Sequence, residues 1–214
     1  MDRSGRIIVL ATKNKGKSGE IRKLLEGRPV KVLDLTDFGL LPEPAEDGET
    51  FEDNAYKKAL FYARILGLPA LADDSGLAVE ALGGRPGVFS ARWAGEEASD
   101  ADRCAKLLSE MRGKTDRRAR FVCALVLAVP SGPGLTWVGE CPGEITFEPA
   151  GENGFGYDPV FYHPSSGKTF AQMSRAEKNE VSHRGRALAE FTAELDKVLC
   201  WLELREREDR PPHP

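Results

Sequence analysis

The chain has 214 residues, 41% of them apolar, and carries 34 acidic against 30 basic side chains for a net charge of −4. At about 150 residues per domain this length suits one large domain, or two lobes sharing a core, rather than a string of modules, and the apolar share excludes disorder and collagen. The charge offers a polyanion no global attraction, so no nucleic-acid partner is expected.

The longest apolar run, residues 121–129, falls short of the roughly 18 residues that span a bilayer, so no membrane partner is expected either. The N-terminal residues enter a strand-like run with no h-region and no small-residue cleavage site, which makes the cytoplasm the expected compartment. Cys104, Cys123, Cys141 and Cys200 are scattered without a C-x-x-C pair, and read as reduced structural thiols rather than a disulfide framework or a zinc knuckle.

Residues 6–11 (RIIVLA) read as a buried first strand, and Ile21, Leu24 and Leu25 then show helical spacing, stopped near Gly27. Between them Thr12, Lys13, Asn14, Lys15, Gly16 and Lys17 form a strand-to-helix loop, where backbone N–H groups, the helix dipole and three lysines favour a phosphate. The loop comes within one residue of a P-loop, since Gly16-Lys17-Ser18 has the right ending while Ala11 stands where the first glycine belongs. A solvated basic turn capping a helix is the plainer alternative.

Residues 30–35 make a second strand, followed by a Pro- and acid-rich loop, 36–50, long enough to suggest function. Any of Glu43, Glu46, Asp47 and Glu49 within it could be either functional or merely solvated. Thr50-x-x-Asp53 opens a helix through Ala55, Ala59, Ala63 and Leu66 that ends at Gly67. Residues 68–72 read as a short strand running into a turn, Asp73-Asp74-Ser75-Gly76, after which residues 77–82 resume an apolar run. Two carboxylates where a strand meets a turn suit a hard cation such as Mg²⁺, partly hydrated and shared with substrate phosphates; an Asx-turn explains them equally well.

Turn chemistry makes residues 83–95 a loop, with Phe89 and Trp93 exposed as a surface that a second copy could cover. Ser99-x-x-Asp102 caps the next helix, and residues 120–129 and 135–147 flank Ser131-Gly132-Pro133-Gly134 as a long hairpin. In the Gly-rich loop that follows, Phe155, Gly156, Tyr157 and Asp158 present two aromatics as a stacking platform for a base; a pair of core aromatics beside a turn is the alternative. Ser174-x-x-Glu177 caps another helix, and one long amphipathic helix runs from Ser182 through Leu202. Lys178, Ser182, His183 and Arg184 gather donors near its start. Helices interleave with strands early and a hairpin dominates later, so residues 1–204 read as a single α/β domain with a mixed sheet, and 205–214 as a charged, frayed tail.

Six motifs in this order resemble those of the inosine triphosphate pyrophosphatase-like (HAM1-like) family, called dITP/XTP pyrophosphatases in bacteria. They are Thr12-x-Asn14-x-x-Lys17, the TFEDNA run at 50–55, the ADDSGL run at 72–77, the LGGRPG run at 82–87, the FGYDP run at 155–159, and Lys178 with Ser182-His183-Arg184. The resemblance implies a Mg²⁺-using homodimer of α/β protomers, each two-lobed around a long mixed β-sheet flanked by helices, that splits triphosphates of deaminated purines into monophosphate and pyrophosphate. It assigns Asp74 as catalytic base and metal ligand, Glu46 as the second metal carboxylate, and Thr12 to Lys17 with Ser75 to the substrate. Phe155 to Asp158, Lys178, His183 and Arg184 complete the implied nucleotide site, with Arg184 donating to the C6 oxygen that adenine lacks. A P-loop enzyme releasing orthophosphate and a non-catalytic nucleotide sensor are the rival readings.

Overall fold

The structure, a computed structural model, describes residues 6–208. β1 (Arg6–Leu10) buries its last three residues fully and hands over at Leu10 to α1 (Lys15–Leu24). β2 (Val30–Asp34) follows, then the acidic loop, then α2 (Phe51–Leu66), which starts where the Thr50 side chain accepts from the Asp53 N–H and stops where Gly67 turns left-handed. Both ends are the ones the sequence signals call for.

β3 (Ala70–Val79) is one unbroken strand of ten residues. The turn expected at Asp73-Asp74-Ser75-Gly76 is therefore corrected: these residues lie mid-strand, because β4 (Arg118–Ala128) is hydrogen-bonded alongside β3 and keeps the chain extended beyond its pairing with β1. Between β3 and β4 lie two short 3-10 turns and α3 (Asp100–Glu110), which opens on the expected Ser99–Asp102 capping box. β5 (Gly134–Ile145), β6 (Phe161–His163) and β7 (Lys168–Thr169) complete a seven-stranded sheet of order β2-β1-β3-β4-β5-β6-β7. β1 pairs in parallel with β2 and β3, whereas β6 is antiparallel to β5 and β7. The sheet is mixed, as expected.

The expected single helix from Ser182 is divided into α5 (His183–Ala193) and α6 (Leu195–Glu208), preceded by α4 (Arg175–Val181). Ser182 ends α4 in extended conformation, and its hydroxyl accepts from the Gly185 N–H at 3.1 Å, so one serine stops a helix and caps the next. The interruption at Glu194 is slighter, since helical hydrogen bonds continue on both sides of it. α6 reaches Glu208 through Arg207–Glu203 and Arg205–Glu208 pairs, so residues 205–208 are helical; the remainder of the expected tail, 209–214, lies outside the described residues.

By contact density the chain divides into two compact units. One takes the chain up to Asp74, Ala124–Trp137 and the part from Leu188 onward; the other takes Ser75–Cys123 and Val138–Ala187. In the first, Ala55, Ala59 and Ala63 of α2 pack on Val9, Ala70, Ala72 and Val126. Alanines at that spacing give the helix a smooth face that lies close to the strands. In the second, Phe121, Phe161 and Phe170 form a ring cluster with centroids 4.6–5.7 Å apart among Leu107, Met111 and Tyr157. Each such side chain contributes about 1.5–3 kcal/mol by burial. No disulfide joins the cysteines, and burial pushes the Cys104 and Cys141 thiols up to about 11, in keeping with structural thiols. Among the described residues no helix is long and apolar enough to cross a membrane.

Candidate active site

In the first unit β1 pairs with β2 on one edge and with β3 on the other, so the strand order reverses at β1. A crevice outside the carboxyl ends of the strands at such a reversal is where ligands bind in α/β sheets. Leu10 pairs with Leu71, which leaves Asp73 and Asp74 on the stretch of β3 that extends past the end of β1. Residues 11–14 leave the same end of β1 and lead into α1. The topology thus brings two motifs distant in sequence to one place, and Lys17 Nζ meets Asp73 Oδ2 at 2.8 Å.

The amides at the start of α1 are not open to a phosphate in the way the loop sequence suggests. Asn14 Oδ1 accepts from Gly16 N at 2.9 Å and from Lys17 N at 3.2 Å, an N-cap that contributes about 1 kcal/mol to the helix. Of the three lysines of the loop, Lys13 is paired with Glu43 and Lys17 with Asp73, so their side chains share their charge with carboxylates. The two amides are engaged by Asn14, which is the physical difference from a P-loop, whose backbone N–H groups cradle the phosphates.

A cavity of about 440 Å³ opens beside this loop, lined by Thr12, Lys13, Glu43, Glu46, Lys58 and Tyr62 among others. The acidic loop meets a different lysine at each carboxylate: Glu43 bonds Lys13 at 2.8 Å, Glu46 pairs with Lys58, and Asp47 bonds Lys57 at 2.9 Å. Burial works against the Lys58 ammonium, yet Glu46, with Asp73 and Asp74 nearby, more than offsets it and lifts Lys58 above its ordinary value. Glu46 is in direct contact with Lys58, while Asp73 and Asp74 act on it through their charge alone. Among the described residues no three His, Cys, Asp or Glu side chains form a ready-made metal cage. A hard cation that takes one or two carboxylates and completes its shell with water and phosphate oxygens fits this donor set.

The sequence reading missed Lys58 and Tyr62. The signal was present: both stand on α2 four residues apart, so they share a face, and the TFEDNA run fixes where that helix begins. Asn54 of the same run is buried and accepts from Gly48 N at 2.7 Å, which anchors the end of the acidic loop. A Cβ on Gly48 would stand 2.6 Å from that oxygen, so glycine is needed there.

In the second unit the loop after β5 carries Phe155, Gly156, Tyr157 and Asp158. Phe155 is 69% exposed, but Tyr157 is 3% exposed and donates its hydroxyl to Ser90 O at 3.0 Å. The expectation of two exposed aromatics is corrected at Tyr157, which belongs to the core, while Phe155 alone is exposed. Asp158 is buried, accepts from Phe155 N at 2.9 Å and from Lys178 Nζ at 2.5 Å, and is pushed up by burial against the pull of that lysine. Lys178 Nζ also sits 4.6 Å from the centre of the Phe155 ring, a cation–π contact. His183 lies in the first turn of α5 with its ring stacked on Phe121 at 4.8 Å, and Arg184 follows half-buried. Gly139 of β5 has no room for a Cβ against the His183 carbonyl, so that glycine lets α5 approach. Phe89 is half-exposed with the Arg92 guanidinium 5.1 Å over its ring, on a 3-10 turn where a loop was expected.

A model of the Ham1 family matches residues 8–194. The chain belongs to the Ham1 family. Among its relatives, a dITP/XTP pyrophosphatase of Syntrophobacter fumaroxidans is 63% identical over 199 residues, covering 93% of this chain and 86% of its own. A dITP/XTP pyrophosphatase of Desulfotalea psychrophila is 52% identical over 208 residues, covering 97% and 93%. The solved structure of a HAM1 protein from Coxiella burnetii superposes with a TM-score of 0.87 at 44% identity, over 90% of this chain and 99% of that one. The match spans all six motifs.

Proposed function

We propose that this Ham1 protein hydrolyses triphosphates of deaminated purines, ITP, dITP and XTP, to the monophosphate and pyrophosphate, and so clears them from the nucleotide pool of the cytoplasm. The observation that carries the reading is the pairing of Asp73 with Lys17 at the strand-order reversal and of Glu46 with Lys58 in a cavity of about 440 Å³, with Asp74 next to Asp73 on the same strand. That volume lies in the range of small-molecule sites, and the names of the relatives agree with the chemistry.

In this reading Lys13, Lys15 and Lys17 bind the triphosphate, with Thr12, Asn14, Gly16 and Ser75 lining its path. Asp74 orients a water molecule toward the α-phosphorus and takes its proton, a general-base role. Lys17 and Lys58 hold Asp73 and Glu46 in place and limit the repulsion that three carboxylates would otherwise exert on an incoming polyanion. Glu46 and Asp74 are the residues that would hold Mg²⁺, which when bound neutralises phosphate charge. Phe155 stacks on the base, Asp158 and Lys178 hold Phe155 in place, and His183 and Arg184 read the polar edge of the purine. An acceptor oxygen at C6 satisfies an arginine donor, whereas the amine of adenine opposes it. We further propose that the protein works as a homodimer, for which sedimentation at micromolar concentration is the check.

The test is a product assay with purified protein, Mg²⁺ and ITP, XTP, dITP, ATP and GTP in turn. Monophosphate plus pyrophosphate from the first three, with little from ATP or GTP, is the expected outcome. Orthophosphate as the primary product, or binding without turnover, contradicts it.

A further inference from the structure

The first turn of α3 grips the loop that presents Phe155. Asp100 is the first residue of that helix, and the helix does not need it as a cap: Ser99 and Asp102 already complete the reciprocal box, with Ser99 Oγ accepting from Asp102 N at 3.2 Å and Ser99 N donating to Asp102 at 3.0 Å. A carboxylate at this position ordinarily faces water near the positive end of the helix dipole. Here Asp100 Oδ2 accepts from the Gly156 N–H at 2.7 Å, while its other oxygen pairs with Arg103. One turn later the buried Cys104 donates its thiol to Gly156 O at 3.3 Å. Both backbone groups of Gly156 are therefore held from α3, at a residue whose φ of +62° suits glycine.

The opposite side of Phe155 is held as firmly. Its own N–H donates to the buried Asp158, and Lys178 bridges that carboxylate and the ring. Gly154, immediately before it, has no room for a Cβ against Asp158. A loop pinned at 155 and 156 around a ring that is 69% exposed spends hydrogen bonds on presenting that ring, rather than on burying it.

We propose that Asp100 is a positioning residue for nucleobase recognition. It fixes the Gly156 peptide, thereby the direction of the Phe155 ring, and through the ring the affinity for the base. The inference rests on the reading of Phe155 as the base-stacking residue. A ring fixed before the base arrives has less freedom to lose on binding, so its contribution appears in KM rather than in kcat.

The experiment compares wild type, Asp100→Ala and Asp100→Asn with ITP, and uses inorganic tripolyphosphate, which has no base, as a competitive inhibitor. Asp100→Ala is expected to raise KM about five- to tenfold, the lower end of what losing a base–aromatic stack costs. Its kcat should stay within about twofold and the inhibition constant of tripolyphosphate unchanged. Asn at this position still offers an oxygen to the Gly156 N–H, so its KM should remain within about twofold of wild type. In a Phe155→Ala background Asp100→Ala should add nothing, because the residue acts through that ring.

An unchanged KM, a parallel weakening of tripolyphosphate, or full additivity with Phe155→Ala overturns the proposal. If Asp100→Ala does not fold, Asp100→Ser, too short to reach Gly156, carries the same comparison. Wild-type protein that does not turn over ITP would refute the functional reading beneath it, an outcome distinct from active wild type with an indifferent Asp100.

Discussion

Lys17 Nζ on the first turn of α1 and Asp73 Oδ2 in the middle of β3 lie 2.8 Å apart, across 56 residues of sequence. The pair ties the lysine loop to the acidic strand. Asp73 is nearly buried and Lys17 keeps some contact with water, so the attraction is only partly screened. Replacing Lys17 by Met should cost about 1–3 kcal/mol, the penalty for leaving a largely desolvated carboxylate short of a partner. It should also raise KM for the triphosphate at least severalfold. Thermal melting and steady-state kinetics check both, and a variant indistinguishable from wild type in each would contradict the pairing.

Asp74→Asn keeps the shape of the side chain and removes its ability to take a proton. Turnover should fall by about 10²–10⁴, the range for loss of a general base. The melting temperature should move by less than about 4 °C, which for a chain of this size corresponds to roughly 1 kcal/mol. A kcat within tenfold of wild type would remove Asp74 from its assigned role.

Asp158 is buried and held by Lys178, so Lys178→Met leaves a carboxylate without its counter-ion. A loss of about 3–5 kcal/mol is expected near neutral pH. Burial already raises Asp158 above its ordinary value of 3.8, and removing the lysine raises it further. For a carboxyl raised in the folded state, ionisation opposes folding as pH climbs from the ordinary value through the raised one. The deficit of the variant should therefore shrink as pH is lowered toward 4, and partial recovery is expected in the double variant with Asp158→Asn. Urea midpoints at several pH values decide it; a deficit independent of pH would contradict the assignment.

Glu177 gives the opposite sign. Lys168, 2.8 Å away, and the Ser174 cap hold its carboxyl down to about 2 from an ordinary 4.5. A depressed carboxyl stabilises the fold above its ordinary value, and that stability is lost as pH falls through the depressed one. Glu177→Gln keeps an acceptor for the Ser174 N–H but not the charge. Wild type should be the more stable protein above about pH 4.5, and the difference should close as pH falls toward 2. A gap that persists unchanged at pH 3 would refute it.

What the sequence made legible were features with local causes. Thr50, Ser99 and Ser174 cap helices where their spacing to Asp53, Asp102 and Glu177 says they should, and Gly67 ends α2. Misreadings arose where a long-range partner outweighs local chemistry. Asp73-Asp74-Ser75-Gly76 has turn composition, but β4 holds it as strand. Tyr157 and Phe155 look alike on a Gly-rich loop, yet the Ser90 carbonyl lies within reach of one hydroxyl and draws that ring inward. Lys58 was hidden because a lysine on a helix is most often a solvated one, and its carboxylate partner Glu46 comes from a loop position that only the fold brings to it.

In the proposed reaction water, activated by Asp74, attacks the α-phosphorus. Hydrolysis of ITP in ¹⁸O-labelled water, followed by mass analysis of both products, tests it most directly. Attack at the α-phosphorus leaves one labelled oxygen in the inosine monophosphate and none in the pyrophosphate. Label found in the pyrophosphate would place the attack at the β-phosphorus and contradict it.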